Sequence, residues 1–164
     1  MAKIEQINEL PQVNLSSSVG RNGVNDKDDV IAVQALMKYA LEGERDWTGI
    51  QFPEPTGTMD GKTRELIKRY QRHVKRLVGS AKVDGRIDPA KGLFARGANV
   101  MWTIMSLNTD AMATWHLSKR LGRNYIHAIG TLYPAFKSAI GDEGIGTLNL
   151  ELEGGVGSLG LDLE

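Results

Sequence analysis

The sequence predicts a mainly α fold: a three-helix domain, a helical C-terminal extension and a terminal β-hairpin. Two segments, "NDKDDVIAVQALMKYALEG" and "KTRELIKRYQRHVKRLVG", place apolar residues at helical spacing. Near the end, "TLNLELE" and "LGLDLE" place leucine at alternate positions on either side of "GGVGS", a strand–turn–strand pattern.

Residues 1–18 carry no sustained period and read as an irregular lead-in ending in "NLSSS". "VGRNGVN" is a loop signal, with two glycines and Asn25. The first helix takes Asp26 or Asp28 as its cap and Gly43 as its stop, with Val30, Val33, Leu36, Met37 and Ala40 on one face. "ERDWTGIQFPEPTGTMDGKT" is a long loop. The second helix takes Thr63 as N-cap and Leu66, Ile67, Tyr70, Val74, Leu77 and Val78 as its apolar stripe. "KVDGRIDP" is the next loop, and "ANVMWTIMSLN" gives the third helix. Asn108 and Thr109 read as the cap of a fourth helix, "NTDAMATWHLSKRLG". In "RNYIHAIGTLYPAFKSAIG", Gly130 and Pro134 should kink or divide a fifth. The organisation is then lead-in 1–18, three-helix domain 19–108, helical extension 109–145, and acidic β-hairpin or tail 146–164.

The length of 164 residues suits one domain, or one with an extension. A formal charge of zero favours no class of partner, but the distribution is uneven. Lys62 to Arg86 holds nine Lys or Arg against Glu65 and Asp84, whereas Asp142 to Glu164 holds six acids and no Lys or Arg. The lack of cysteine excludes a thiol nucleophile, a thiolate metal site and disulfides. "MAKIEQINELPQ" carries charges where a signal peptide is apolar. No run approaches the roughly 20 apolar residues of a membrane helix, so membrane insertion is not expected.

Three pieces, in order, resemble the peptidoglycan-binding-domain family. "VGRNGVNDKDDVIAVQALM" is similar to its glycine-rich lead and D-V-x-x-V-Q-x-L-L helix, through Asp29, Val30, Val33, Gln34, Leu36 and Met37. "GTMDGKTRELIKRYQ" resembles its D-G-x-x-G-x-x-T loop and following helix, through Gly57, Lys62, Thr63, Leu66, Ile67, Tyr70 and Gln71. "VDGRIDP" resembles its second D-G turn. The chain departs from the pattern at Thr56, at Asp60, in the enlarged loop from Glu44 to Pro55 and in "PAKGLFARGANV".

The resemblance spans roughly residues 19–108 and implies non-catalytic recognition of bacterial cell-wall peptidoglycan. Loops around Trp47 to Asp60 and Lys82 to Asp88 would line a shallow groove, supported by Tyr70 and Gln71. Arg64 or Arg86 would meet stem-peptide carboxylates. Without a signal peptide, such a protein would be made in the cytoplasm and delivered to the periplasm or wall by another route. The alternative is an adaptor or cargo of a bacterial secretion or phage-like injection apparatus, contacting an apparatus or effector protein through the C-terminal part.

Read by residue, Asp84 and Asp88 lack the ligand spacing of a calcium loop and fit turn positions. His73, His116 and His127 lack the spacing of a zinc motif, and no G-x-S-x-G is present, so no metal, cofactor or catalytic set is expected. The cations Lys68, Arg69, Arg72, Lys75 and Arg76, with Lys62 and Arg64, form a basic face. It is either solvated surface or an attractor of anionic wall polymer or an acidic partner. Nucleic acid ranks below these, because the preceding loop is too long for a helix-turn-helix. Trp102 and Trp115 lie in apolar helical patterns and read as packing. Trp47, in a loop, reads equally as a sugar or peptide contact or as a loop anchor.

Overall fold

The computed structural model describes residues 1–94, 100–118 and 122–141. In chain order its elements are β1 (Lys3–Ile7), β2 (Leu10–Asn14), β3 (Val19–Gly20), α1 (Lys27–Leu41), α2 (Gly61–Val78), β4 (Arg86–Ile87), α3 (Thr103–Leu117), α4 (Tyr125–Leu132) and α5 (Pro134–Ile140). A 3-10 turn at Arg45–Trp47 interrupts the loop between α1 and α2. The fold is mainly helical, as expected. The hairpin expected within 146–164 lies outside the described residues.

The first residues are not an irregular lead-in. β1 and β2 pair antiparallel, with Lys3 opposite Asn14 and Ile7 opposite Leu10. Asn8 and Glu9 make the turn at φ of 52° and 64°, the handedness a two-residue hairpin loop needs. The sequence disguised this turn, because Glu9 stands where glycine usually signals it and Pro11 lies in the second strand. A two-stranded sheet tolerates that proline, since both strands are edges. Asn14 then ties the hairpin inward: its Oδ1 accepts from the Leu15 and Ala90 amides, and its Nδ2 donates to the Ala90 carbonyl, each at 2.9 Å. Buried Asp29 holds the Ser16–Ser17 corner by accepting from both amides and both hydroxyls at 2.7–3.0 Å.

Asp26 caps α1, accepting from the Asp28 amide at 3.1 Å. The expected apolar face is buried, and so are Ile31, Ala32, Ala35, Tyr39 and Leu41 around it. A helix apolar nearly all round belongs at the centre of a core. Accordingly, α3, α4 and α5 all pack against α1.

α2 begins one turn earlier than expected. Asp60 is its cap, accepting from the Thr63 amide at 2.7 Å, so Thr63 is an interior residue. Leu66, Ile67 and Tyr70 are buried and Val74 is half-buried, but Leu77 is 66% exposed and Val78 is 62% exposed. The covered stripe therefore ends at Val74.

Asn108 is not a cap. It is fully buried inside the single helix α3, which runs through the expected boundary between residues 108 and 109. Its Nδ2 donates to the Val13 and Ile104 carbonyls at 2.8 Å, and its Oδ1 accepts from the Val13 amide and the Tyr125 hydroxyl. One side chain thus joins β2, α3 and α4, and Ala111, Tyr125, Ile126, Phe136 and Ile140 share the core of the preceding part. The expected division at Pro134 does occur: α4 ends at Leu132 and Pro134 opens α5. Gly130 sits inside α4, which continues through it. Among the described residues, no helix is long and apolar enough to cross a membrane.

Candidate functional site

Gln71, buried on α2, organises the loop that precedes α3. Its Oε1 accepts from the Gly85 amide at 2.8 Å, and its Nε2 donates to the Arg86 carbonyl at 2.8 Å and to Asp84 Oδ1 at 3.2 Å. Gly85 has φ of 74°, a conformation that glycine adopts without Cβ strain. Asp84 closes its own turn by accepting from the Arg86 amide at 3.0 Å. β4 then pairs with β3, which fixes the loop against the start of the domain.

The same device occurs one helix earlier. Gln34 on α1 accepts from the Gly57 amide at 3.0 Å and donates to the Thr58 carbonyl and the Thr63 hydroxyl at 3.0 Å. Gly57 has φ of 80°. Each glutamine satisfies one amide and one carbonyl of the glycine turn that leads into the next helix.

Around the second turn lies a groove of about 310 Å³, lined by Gln71, Lys82, Asp84, Arg86, Asp88 and Trp102 among others. Its charges are paired: Lys82 Nζ stands 2.7 Å from Asp84, and Arg86 Nε donates to Asp88 at 2.6 Å. Burial raises the Asp84 carboxyl, but the Lys82 ammonium, the Arg86 amide and the Gln71 amide outweigh it and hold the group below its ordinary value. The Asp84 carboxylate in turn raises the Lys82 ammonium. Trp102 Nε1 is buried and has no hydrogen-bond partner among the described residues. An unpaired buried donor is costly, and here it belongs to a residue that lines the groove.

The structure brings together four of the residues singled out from sequence, Gln71, Asp84, Arg86 and Asp88. The others are elsewhere. Trp47 is only 3% exposed and packs against Phe52, Tyr70 and His73 beneath the Arg69 guanidinium, so it is a loop anchor and not an open contact. Asp60 is committed to the α2 cap, and the Thr63 amide holds its carboxyl below the ordinary value. Arg64 is exposed on α2 and does not line this groove. Tyr70 faces a neighbouring groove of about 250 Å³, where its hydroxyl donates to Asp110 at 2.6 Å. On the basic face, Lys68 lies against Gly85 and Arg76 pairs with Asp46 at 3.0 Å, while Arg69 and Arg72 line a shallow hollow and Lys75 is exposed.

Sequence reasoning assigns Trp102 to packing and names Lys82 only as the start of the groove-lining loop. A signal was present. Lys82, Asp84, Arg86 and Asp88 alternate in sign at every second residue of one short loop, which keeps all four close together. The chemistry on offer is recognition of a ligand bearing both amines and carboxylates. Ser106, the hydroxyl beside the groove, donates to its own helix at the Trp102 carbonyl, 3.4 Å away. Among the described residues, no three His, Asp or Glu gather as metal ligands. Comparison with family models, with curated proteins and with solved structures finds no match for the chain.

Proposed function

We propose that this chain recognises bacterial cell-wall peptidoglycan without cleaving it. The observation that carries the proposal is the groove beside Gly85, where two carboxylates and two cations converge along a wall that Trp102 also lines. A peptidoglycan stem peptide offers free carboxylates, amines and amide carbonyls at short intervals. Arg86 and Lys82 would meet its carboxylates, and Asp84 and Asp88 its amine. The sequence resemblance supports the same reading through Gln34, Gly57, Thr63 and Gln71, all used in the two turn clamps.

Co-sedimentation with purified sacculi tests it. Lys82→Ala, at an exposed position, removes one of the two groove cations, and it should weaken pelleting while changing the melting temperature little. Release of soluble muropeptides by the pure protein would overturn the non-catalytic part. A second reading, an adaptor or cargo of a secretion or injection apparatus, is favoured by the exposed apolar side chains Leu77, Val78 and Phe94. Failure to pellet at low salt moves the function there.

A further inference from the structure

One flank of α2 carries a line of charge that neither turn clamp uses. Lys62, Glu65, Arg69, Arg72 and Arg76 recur every three or four residues, which aligns them along about 21 Å of helix. Two adjoining hollows follow this line. The first, of about 530 Å³, is lined by Lys62, Arg69 and Arg72 over Ile50 and Leu66. The second, of about 220 Å³, shares Arg69 and Arg72 and adds Arg76, His73 and Trp47. Arg69 stands 5.3 Å over the Trp47 ring, so packing holds its guanidinium in place before any ligand arrives.

The lining is rich in donors and poor in acceptors. Guanidinium and ammonium groups donate and never accept. Gln51 Oε1 already accepts from Lys62 Nζ at 2.9 Å, and Asp46 Oδ2 from Arg76 at 3.0 Å. Glu65 is the other acid of the two hollows among the described residues. A peptide would bring a backbone N–H at every residue and find few acceptors here. Single-stranded nucleic acid stacks its bases on open aromatic faces, whereas Trp47 is 3% exposed and lies beneath Arg69. Cations set in a line suit a linear polyanion better than one small anion. We infer that this flank of α2 binds a phosphodiester-linked polyol chain. Its phosphates meet Lys62, Arg69 and Arg72, and its carbons lie over Ile50 and Leu66. Neither hollow shares a residue with the groove beside Gly85, so the inference does not rest on recognition of a stem peptide.

Titration of the isotope-labelled full chain with synthetic poly(glycerol phosphate) tests it. The Nε–H signals of Arg69 and Arg72 should shift saturably, and added salt should weaken the binding. Arg72→Glu should reduce affinity about tenfold or more. Lys75→Glu makes the same charge change on another arc of α2 and should reduce it less than about threefold. Both positions are exposed, so both variants keep the fold. Equal weakening by the two variants would mean that only net charge is sensed, and the site fails. Polyglutamate of matched charge binding as tightly at the same residues would hand the surface to an acidic peptide. Oligothymidylate doing so would hand it to nucleic acid. Either result, or no saturable shift at low salt, overturns the inference.

Discussion

The hydroxyl of Tyr70 donates to the carboxylate of Asp110 at 2.6 Å, joining α2 to α3 across 40 residues of chain. Burial raises the Asp110 carboxyl above its ordinary value, against the opposing influence of Tyr70 and His73. A carboxyl raised on folding stabilises most when protonated, so its contribution is present below the unfolded pKa and lost as pH rises through the folded one. Asp110→Asn should therefore melt at or above wild type at neutral pH, with any gain shrinking as pH falls through the raised folded pKa and gone below about pH 4. Tyr70→Phe should cost about 1–3 kcal/mol by leaving a buried carboxylate short of a partner. Thermal melts across pH check both. A wild-type advantage over Asp110→Asn that grows from pH 4 to 8 would reverse the sign and defeat the argument.

The paired glutamines predict separable losses. Gln71→Ala should destabilise by about 2–3 kcal/mol, because the Gly85 amide and the Arg86 carbonyl lose a partner. Hydrogen exchange should quicken at Gly85 and stay unchanged at Gly57. Gln34→Ala should do the converse. Quickening at both amides in either variant would show that the two turns are one cooperative unit.

Asp84 should leave its mark on the acid side. Its folded pKa is lowered, so its contribution is present above the unfolded pKa and is lost as pH falls through the folded one. Asp84→Asn should flatten the loss of stability below about pH 4, and salt should reduce the difference because the Lys82 pair is largely exposed. Gly85→Val should cost about 1–3 kcal/mol at every pH through its positive φ. An acid limb of the melting curve unchanged in Asp84→Asn refutes the first expectation.

The basic face should not respond uniformly to charge reversal. Arg69 stands 5.3 Å over the Trp47 ring, so Arg69→Glu should cost about 0.5–1 kcal/mol. Arg72→Glu and Lys75→Glu, at exposed positions, should stay within about 0.5 kcal/mol of wild type. Denaturant melts separate these values. Equal effects at all three positions would show that net charge, and not the Trp47 contact, is what the helix senses.

Much of this protein was legible in the chain because it is decided over a few residues. The Asp26 cap, the central apolar face of α1, the α2 stripe as far as Val74, the positive-φ turn at Gly85 and the division at Pro134 follow from capping, periodicity and backbone sterics. Half of the candidate groove was legible for the same reason, since Asp84, Arg86 and Asp88 share one short loop. Other features depend on partners far along the chain. Asn108 reads as a cap until Val13 and Tyr125 occupy its amide, and Trp47 reads equally as a ligand contact or a loop anchor until α2 closes over it. Leu77 and Val78 continue the stripe in sequence, yet no described element lies over the last turn of α2. A side chain's own neighbours set its local geometry. Whether it is covered, satisfied or left facing a groove depends on which distant segment arrives there, and that was decided only when α3, α4 and α5 packed around α1.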